Sequence, residues 1–333
     1  MQLIYFLLLL NAYGFLIQPL TKKSLKLYDN FNINEQKPSN TWVLLSQAFK
    51  DKARSWFIQR AIKTGVPWHD LTDYYEDNQR ILNLIKDVSE NKYLKYPLYY
   101  KQPFHGYEDG NLNWKAAYEV EAATLSISST YYNTNPFISQ DYMRYNVSLN
   151  IDNYAIETNN TFYKQSILDA GSSTGISTEY LYKSYPECKS IHGLELSPYF
   201  NAVAQFNTKQ KNLPIHHIHG NIEDIPFDND TFSMVVCSFV FHEIPSEVIT
   251  EILKEYYRVL APRGILVIMD LDPSNLTNNL ILNQFRKWAF EVTEPHIYKY
   301  YQYDMLKNIG KTGFKDLKKV KNDPLNCVWL STK

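Results

Sequence analysis

Ser166-Ile-Leu-Asp-Ala-Gly-Ser-Ser-Thr-Gly175 is the stretch that decides the fold. A short apolar run leads to Asp169, and then Gly171 and Gly175 enclose three small hydroxyl-bearing residues. A helical pattern follows at once over residues 176–185. This order predicts a strand, a tight loop whose glycine backbone can approach a ligand, and a helix whose N-terminal amides face that ligand.

Further strand and turn segments follow at the spacing of a repeated β-α unit. The next apolar run ends at Glu195, 24 residues after Gly171. An acid about 20 residues past a glycine loop suits a bidentate contact with ribose hydroxyls. Three later segments continue the pattern. Residues 215–227 predict a third strand and its turn, and residues 231–245 predict a fourth strand and its loop. Residues 258–270 predict a turn and a buried fifth strand.

These five segments, over residues 163–273, resemble the ordered motifs of the class I S-adenosylmethionine (SAM) dependent methyltransferases. The motifs are most similar to those of the ubiquinone/menaquinone type in the methyltransferase type 11 superfamily. The segments 99–114 and 293–304 resemble an uncharacterised branch found in cyanobacteria and plastid-bearing eukaryotes. The resemblance implies an α/β, Rossmann-like fold with a seven-stranded, mostly parallel sheet whose last strand is antiparallel. A last helix at 305–314 and closing strands at 314–320 and 327–332 fit the end of that fold.

The resemblance also implies SAM as the cofactor and places its binding site at the ends of the strands. The implied cofactor-binding residues are Asp169, Gly171, Ser173 and Gly175 at the methionine end, Glu195 at the ribose, Asn221 and Ile222 at the adenine, and Cys237 and Ser238 beside the sulfonium. Leu196, which follows Glu195, is also an implied cofactor-binding residue. Two residues depart from the family pattern. Ser173 stands where the family has a glycine, and Asn221 replaces an acid, which keeps an acceptor oxygen but removes the charge.

The expected chemistry makes few demands on side chains. The sulfonium already makes its methyl group electrophilic, so the protein mainly has to place a nucleophile in line and exclude water. A general base is required only if the acceptor loses a proton during transfer. The candidate bases are His242 and Glu243 after the fourth strand, His105 in an N-terminal loop, and Glu294 or Tyr301 after the fifth strand. Aromatic residues around these loops predict a small, partly apolar or aromatic acceptor.

Two other classes of function compete with an active methyltransferase. A nicotinamide-dependent dehydrogenase shares the strand-loop-helix unit, but its fingerprint needs Gly-x-Gly-x-x-Gly directly after the strand. The loop at 171–175 has no third glycine at that spacing. The other alternative is a non-catalytic regulatory or assembly protein that binds SAM or its product, S-adenosylhomocysteine (SAH), through a degraded glycine loop.

Composition argues against some classes of partner and of site. The 333 residues carry 34 basic and 35 acidic side chains, so the chain lacks the basic excess of a nucleic-acid binder. The three cysteines show no paired spacing, which predicts neither a disulfide framework nor a metal site. Three closely spaced histidines, His216, His217 and His219, are expected at a surface or a sheet edge, because a strand turns them to different faces.

The N-terminal part divides into segments of different character. We predict a signal or targeting segment at 1–20, a transit-like linker at 21–40, a helical N-terminal cap region at 41–160, and the methyltransferase domain at 161–333. Residues 3–17 are apolar but shorter than the roughly 20 residues of a membrane span, as in a signal peptide. Membrane contact is expected only through this stretch, before cleavage; a buried or anchoring helix is the alternative. The basic segment after it suggests plastid import by a bipartite signal, with the secretory pathway or endoplasmic reticulum as the alternative.

The cap region shows helical periodicity over 42–62, 78–94 and 112–131. Between the last two of these helices lies the loop 99–114, which combines five aromatic side chains with ionisable groups around two glycines. Such a loop either contributes to a functional site or ties the cap to the sheet.

Overall fold

The computed structural model describes residues 54–104, 107–132, 134–161, 163–274 and 295–333. The predicted targeting segment and transit-like linker lie outside these residues, as do the candidate bases His105 and Glu294. Of the predicted helix at 42–62, only residues 54 onward are described. Within the described ranges, no helix has the length and apolar character that crossing a membrane requires.

Helices come first along the chain, and strands then alternate with helices. The helices of the cap region are α1 (54–63), α2 (Trp68–Asp77), α3 (Gln79–Ser89), α4 (Trp114–Tyr132) and α5 (Pro136–Glu157). The alternating part comprises β1 (Ser166–Ala170), α6 (Ile176–Ser184), β2 (Ser190–Glu195), α7 (Pro198–Gln210), β3 (Ile215–His219), β4 (Phe232–Ser238), α8 (Ser246–Val259) and β5 (Leu260–Leu271). The chain closes with α9 (Ile297–Gln302), α10 (Met305–Thr312), β6 (Lys315–Lys321) and β7 (Asn326–Thr332).

The strands form one seven-stranded sheet in the order β3-β2-β1-β4-β5-β7-β6. The strands from β1 to β5 pair in parallel, and β7 pairs antiparallel with both β5 and β6. The predicted Rossmann-like class I methyltransferase topology, with an antiparallel last strand, is therefore confirmed. The strand order reverses direction between β1 and β4, and ligands of open α/β sheets bind at such a switch point.

Apolar side chains on both faces of the sheet form the core. Successive residues of a strand point to opposite faces, so Val235 and Cys237 of β4 join one cluster, with helices α8 and α10, whereas Met234 and Val236 join the other. The second cluster also contains Met143, Val147, Ile151 and Tyr154 of α5. Thus α5, which lies inside the predicted cap region, covers one face of the sheet directly.

Helix α5 was not predicted from the sequence, although it is 22 residues long. Its buried face includes the polar residues Gln140 and Arg144, and its outer face leaves Tyr142 and Leu149 exposed, so no clear apolar period is visible. A local signal was present: Asn135 caps the helix by accepting a hydrogen bond from the Phe137 amide, and a proline follows it at the first helical position.

Candidate cofactor and acceptor site

A large pocket lies at the carboxyl ends of β1 to β4, between the sheet and the N-terminal helices. Loops of the sheet supply one wall through Gly171, Ser172, Ser173, Thr174, Glu195, Leu196, Asn221, Ile222, Ser238, Phe239 and Glu243. The N-terminal region supplies the facing wall through Tyr99, Tyr100, Phe104, Tyr107, Asn111, Val120, Thr124 and Arg144. Pro295 and His296, before α9, complete the lining.

The loop after β1 adopts a backbone conformation that explains its glycines. Gly171 has a φ of +77°, and a Cβ there would stand 2.6 Å from Val240 Cγ2. Gly175 has a φ of +82° at the start of α6. Ser173 also lies in the left-handed region, at a φ of +52°, which costs a residue with a Cβ roughly 1–2 kcal/mol. The position where the family has a glycine therefore keeps a glycine-like backbone despite the substitution.

Glu195 ends β2 and holds the glycine loop in place. Its Oε2 accepts a hydrogen bond of 2.8 Å from the Ser173 amide, and its Oε1 accepts one of 2.7 Å from the Ser197 amide. The Tyr100 hydroxyl donates a longer bond of 3.4 Å to Oε1. Burial raises the pKa of Glu195, and the hydrogen bonds from these donors oppose that shift. The carboxylate is held rigidly at the edge of the pocket, where the sequence predicts a ribose contact.

Asp169, the last acid of β1, is fully buried beneath the loop. Its Oδ2 accepts hydrogen bonds of 2.6 Å from both the Ser177 and the Thr178 hydroxyls of α6. No described residue donates to its Oδ1, which is also buried. Burial raises the pKa of Asp169, while the two hydroxyls and the nearby Arg144 lower it. A buried carboxylate oxygen without a donor costs free energy, so a cationic ligand group is the natural partner.

The far end of the pocket, beyond β2, is arranged by backbone turns. Asn221 Oδ1 accepts a hydrogen bond of 3.0 Å from the Glu223 amide, which leaves the amide nitrogen and one lone pair for a ligand. His219 Nδ1 accepts from the Asn91 amide at 2.9 Å, so its Nε2 carries the proton and donates to the Leu196 carbonyl, 2.9 Å away. The histidine thereby ties the N-terminal region to the turn after β2.

The three histidines lie at an edge of the sheet, as expected. They belong to β3, an edge strand, and His216 is exposed. His219 is nevertheless buried, and burial lowers its pKa. Burial and the neighbouring His216 likewise lower the pKa of His217 to about 4. In the described part of the chain, no group of three or more potential ligand side chains could hold a metal ion.

Two predicted site residues point away from the pocket, which corrects the expectation for them. Cys237 belongs to the core cluster beneath β4, whereas the next residue, Ser238, lines the pocket, because neighbouring strand residues face opposite sides. His242 is fully buried, and its Nδ1 lies 2.6 Å from Asp270 Oδ1. Glu243, directly after it, does line the pocket.

The remaining predicted residues divide between the pocket wall and its support. The structure brings together in the wall Gly171, Ser173, Glu195, Leu196, Asn221, Ile222, Ser238 and Glu243. Asp169 and Gly175 lie behind this wall and shape it, and Tyr301 packs against the core instead of the pocket. Arg144 and His296 line the pocket although sequence reasoning did not select either residue.

The loop at 99–114 lines the pocket and is also tied to the sheet. Tyr99, Tyr100, Phe104 and Tyr107 line the pocket. The same loop is tied to the sheet, because the Tyr99 hydroxyl donates to Glu223 Oε1 at 2.6 Å and the Ser197 hydroxyl donates to the Asn111 carbonyl at 2.7 Å.

The groups of the site fit a SAM molecule. SAM carries a ribose with two vicinal hydroxyls, an adenine, and a methionine end with an ammonium and a carboxylate. The undonated oxygen of Asp169 suits the ammonium, directly or through a water, and the fixed carboxylate of Glu195 suits the hydroxyls. Gly171 provides the close backbone approach that a bulkier residue would block. The residues present therefore match the cofactor that the sequence implied.

Comparison with known proteins gives the same assignment. Residues 167–264 match the family model described as a methyltransferase domain. An uncharacterised methyltransferase of Synechocystis sp. is 33% identical over 112 residues, which are 33% of this chain and 50% of that protein. A demethylmenaquinone methyltransferase of Lysinibacillus sphaericus is 31% identical over 110 residues, 33% of this chain and 45% of that protein. The chain thus spans about half the length of the curated relatives it matches.

Among solved structures, a SAM dependent methyltransferase from Aquifex aeolicus superposes with a TM-score of 0.41 at 16% identity, over 56% of this chain and 88% of that one. A likeness at this level carries no information on function. The segment matched by the family model lies within a sheet that has the topology of the class I SAM-dependent methyltransferases.

Proposed function

We propose that this protein transfers the methyl group of SAM to a small acceptor with a partly apolar or aromatic surface. The observation that carries the proposal is the number of aromatic side chains that line the pocket. Tyr99, Phe104, Tyr107, Phe200 and Phe239 present aromatic side chains to the same space as Glu195 and Gly171. Such a wall binds apolar or aromatic groups by burial and favours a neighbouring cation through the ring faces.

When bound, the cofactor supplies an electrophilic methyl group, and the protein supplies position. Glu195 and the glycine loop fix the ribose and methionine ends, and the aromatic wall excludes water from the reacting centre. Glu243 and His296 are a carboxylate and an imidazole of the lining that lie away from the cofactor loops. Where the acceptor must lose a proton, Glu243 is the proposed base. The Nε2 atom of the buried His242 lies 3.8 Å from Glu243 Oε1.

The first experiment is calorimetric titration of SAM and SAH into the protein, with Asp169→Ala and Glu195→Ala as site variants. The proposal requires micromolar binding that both variants lose. If the unaltered protein bound neither compound, the methyltransferase proposal would be wrong.

A second experiment identifies the acceptor class. The protein is incubated with methyl-labelled SAM and with lipid, quinone and polar extract fractions, and label transfer is measured in each. Transfer to small molecules of the apolar or aromatic fractions supports the proposal. Transfer confined to highly charged or polymeric acceptors contradicts it.

We also propose that the apolar segment 3–17 and the basic segment after it direct the protein to a plastid. The support is the order of an apolar stretch and a basic, hydroxylated one. A fluorescent fusion to residues 1–40, expressed in an alga with secondary plastids, tests this assignment. Plastid fluorescence supports it, whereas secretion or retention in the endoplasmic reticulum supports the alternative route.

A further inference from the structure

We propose that this protein forms a symmetric dimer through the outer face of helix α5, which packs antiparallel against the same helix of a second copy. The outer face consists of large side chains that the structure leaves exposed: Ile138, Tyr142, Tyr145, Leu149 and Ile156. None of these five residues lines the pocket, so the inference is independent of the proposed function.

The outer face forms one stripe along the helix. From Ile138 to Leu149 its members follow one another at spacings of four, three and four residues, and Ile156 comes seven residues later. This spacing keeps the side chains on one side of an α-helix, and it is the spacing of helices that pack against each other. Asp152 occupies the one polar position of the same stripe. Helix α5 therefore carries a second packing face besides the one that covers the sheet.

The outer face is large for the surface of a monomer. Its five apolar and aromatic residues are 42% to 77% exposed. At roughly 200–250 Å² for a fully exposed large residue, their exposed parts amount to about 600 Å² per protomer. Exposed apolar patches of more than a few hundred Å² mark sites of interaction. Two such faces would bury about 1,200 Å² in total, which is the lower end of the range for stable interfaces.

The spacing of the outer face is self-complementary when two copies run antiparallel. Ile138 and Ile156 each lie nine residues from position 147, and Tyr145 and Leu149 each lie two residues from it. A two-fold axis at this position places Ile138 of one copy against Ile156 of the other, and Tyr145 against Leu149. Each contact then occurs twice, as in the self-complementary interface of a two-fold dimer.

Charge selects the antiparallel orientation over the parallel one. In a parallel pair each residue of the stripe meets its own copy, so two Asp152 carboxylates would face each other. In the antiparallel pair Asp152 of one copy faces Tyr142 of the other, whose hydroxyl can donate a hydrogen bond to a carboxylate. The Asp152 side chain is 41% exposed and Tyr142 is 53% exposed, so both are accessible for this contact.

Charge also argues against a lipid surface as the occupant of this face. Helices that lie on membranes carry lysine and arginine beside their apolar face. Helix α5 contains one basic residue, Arg144, which is buried on the inner side of the helix. Its three acidic residues, Asp141, Asp152 and Glu157, all retain some exposure. This distribution of charge favours a second copy of the chain over an anionic membrane.

The test measures the oligomeric state of the full chain by sedimentation velocity at concentrations from about 1 to 100 μM. The variants Tyr145→Lys and Leu149→Glu alter the centre of the outer face. Val88→Glu is the matched control, because Val88 is an apolar residue on helix α3 that is 87% exposed. Circular dichroism verifies the fold of each variant, and both central positions are exposed enough to accept a charge.

We expect the unaltered chain to form a dimer in this range. Each central variant introduces its charge twice into the interface, so the dissociation constant of the dimer should rise at least about 100-fold. Val88→Glu should retain the dimer. Mixing the Tyr145→Lys and Leu149→Glu proteins should restore a dimer, because the antiparallel register places the introduced lysine of one chain against the introduced glutamate of the other.

A monomeric unaltered chain over the whole range would overturn the inference, whether the outer face then binds phospholipid vesicles or is covered by another part of the same chain. A dimer that persists in both central variants would also overturn it, as would a dimer that only Val88→Glu dissociates. Loss of the dimer in both central variants without recovery on mixing would overturn the antiparallel register. If one variant failed to fold, the unaltered chain and the other variant would still decide.

Discussion

The two walls of the pocket are built on different principles. The wall formed by the sheet loops acts largely through the backbone: positive φ angles at Gly171 and Ser173, and amides that fix Glu195. The facing wall, from the N-terminal helices, acts through side chains such as Phe104 and Arg144. A backbone-built wall suits a constant cofactor, whereas a side-chain wall can change with the acceptor without disturbing the sheet.

The sharpest test of the backbone-built wall is Glu195→Gln. The NH₂ group of the glutamine would face one of the two backbone N–H groups that now donate hydrogen bonds to the carboxylate, so two donors would oppose each other. We expect SAH affinity to fall about 100-fold, as measured by calorimetry. Glu223→Gln is the matched control, since Glu223 accepts from Tyr99 and does not line the pocket; its SAH affinity should stay within about 3-fold of normal. Binding by Glu195→Gln at normal affinity would contradict the role of the carboxylate.

The pH dependence of binding gives the next largest effect. Burial raises the pKa of both Asp169 and Glu195 above the ordinary values of 3.8 and 4.5, so protonation begins at a higher pH than in a free carboxyl. Ligand binding needs the ionised forms. SAH affinity should therefore fall as the pH decreases through the raised pKa values, by about tenfold per pH unit for each group required. The stability of the ligand-free protein should depend on pH in the opposite direction. A carboxyl group whose pKa is raised in the folded state contributes stability at low pH, and this stability is lost as the pH rises.

Calorimetry between pH 4.5 and 8 measures the pH dependence of SAH affinity, and thermal unfolding at each pH measures that of stability. In Glu195→Gln the part of the dependence due to that carboxyl should disappear. A pH-independent affinity over the range in which the protein stays folded would show that neither carboxylate contacts the ligand.

A smaller effect is expected where the glycine loop departs from the family pattern. Ser173→Gly removes the strain of a Cβ at a φ of +52°, but it also increases the entropy of the unfolded chain. The net gain in the free energy of unfolding should be about 0.5–1 kcal/mol, measured by urea denaturation. Ser172→Gly is the neighbouring control: Ser172 is buried and has no positive φ, so its replacement should destabilise the protein. Equal effects at both positions would rule out strain at Ser173.

The smallest effect tests the side-chain wall. Tyr100→Phe removes only the 3.4 Å hydrogen bond to Glu195, which keeps its two shorter backbone bonds. SAH affinity should change less than about 3-fold, because a long hydrogen bond contributes little. A loss as large as that of Glu195→Gln would mean that this wall holds the ribose end together with the sheet.

The sequence predicted the alternating part of the fold well. The segments around Asp169, Glu195 and Asn221 carry their own strands and turns, and local spacing was enough to order them. The N-terminal region was harder to predict, because α5 buries polar residues and exposes apolar ones, which conceals its period. Only the Asn135-Pro136 start signal was available there.

The residues of the candidate site were also predicted only in part. The residues at the ends of β1, β2 and β3 reach the expected wall, or lie directly behind it, because a parallel sheet places these ends together. Cys237 and His242 were wrongly expected in the pocket. For Cys237 the reason is that a shift of one residue along a strand reverses the face to which a side chain points, and the apolar run of β4 gave no sign of which face is the ligand side. His242 lies beyond β4 in the short helical turn Phe241–Glu243, whose orientation no local pattern records.

The sequence by itself determined the sheet, its cofactor loop and the two carboxylates beneath it, since these depend on neighbours within a few residues. Only the tertiary structure decided which side chains face them. Arg144, Tyr99 and Phe104 reach the pocket wall through packing between parts of the chain far apart in sequence. Such contacts depend on how the helices dock on the sheet, and no local pattern of residues records that docking.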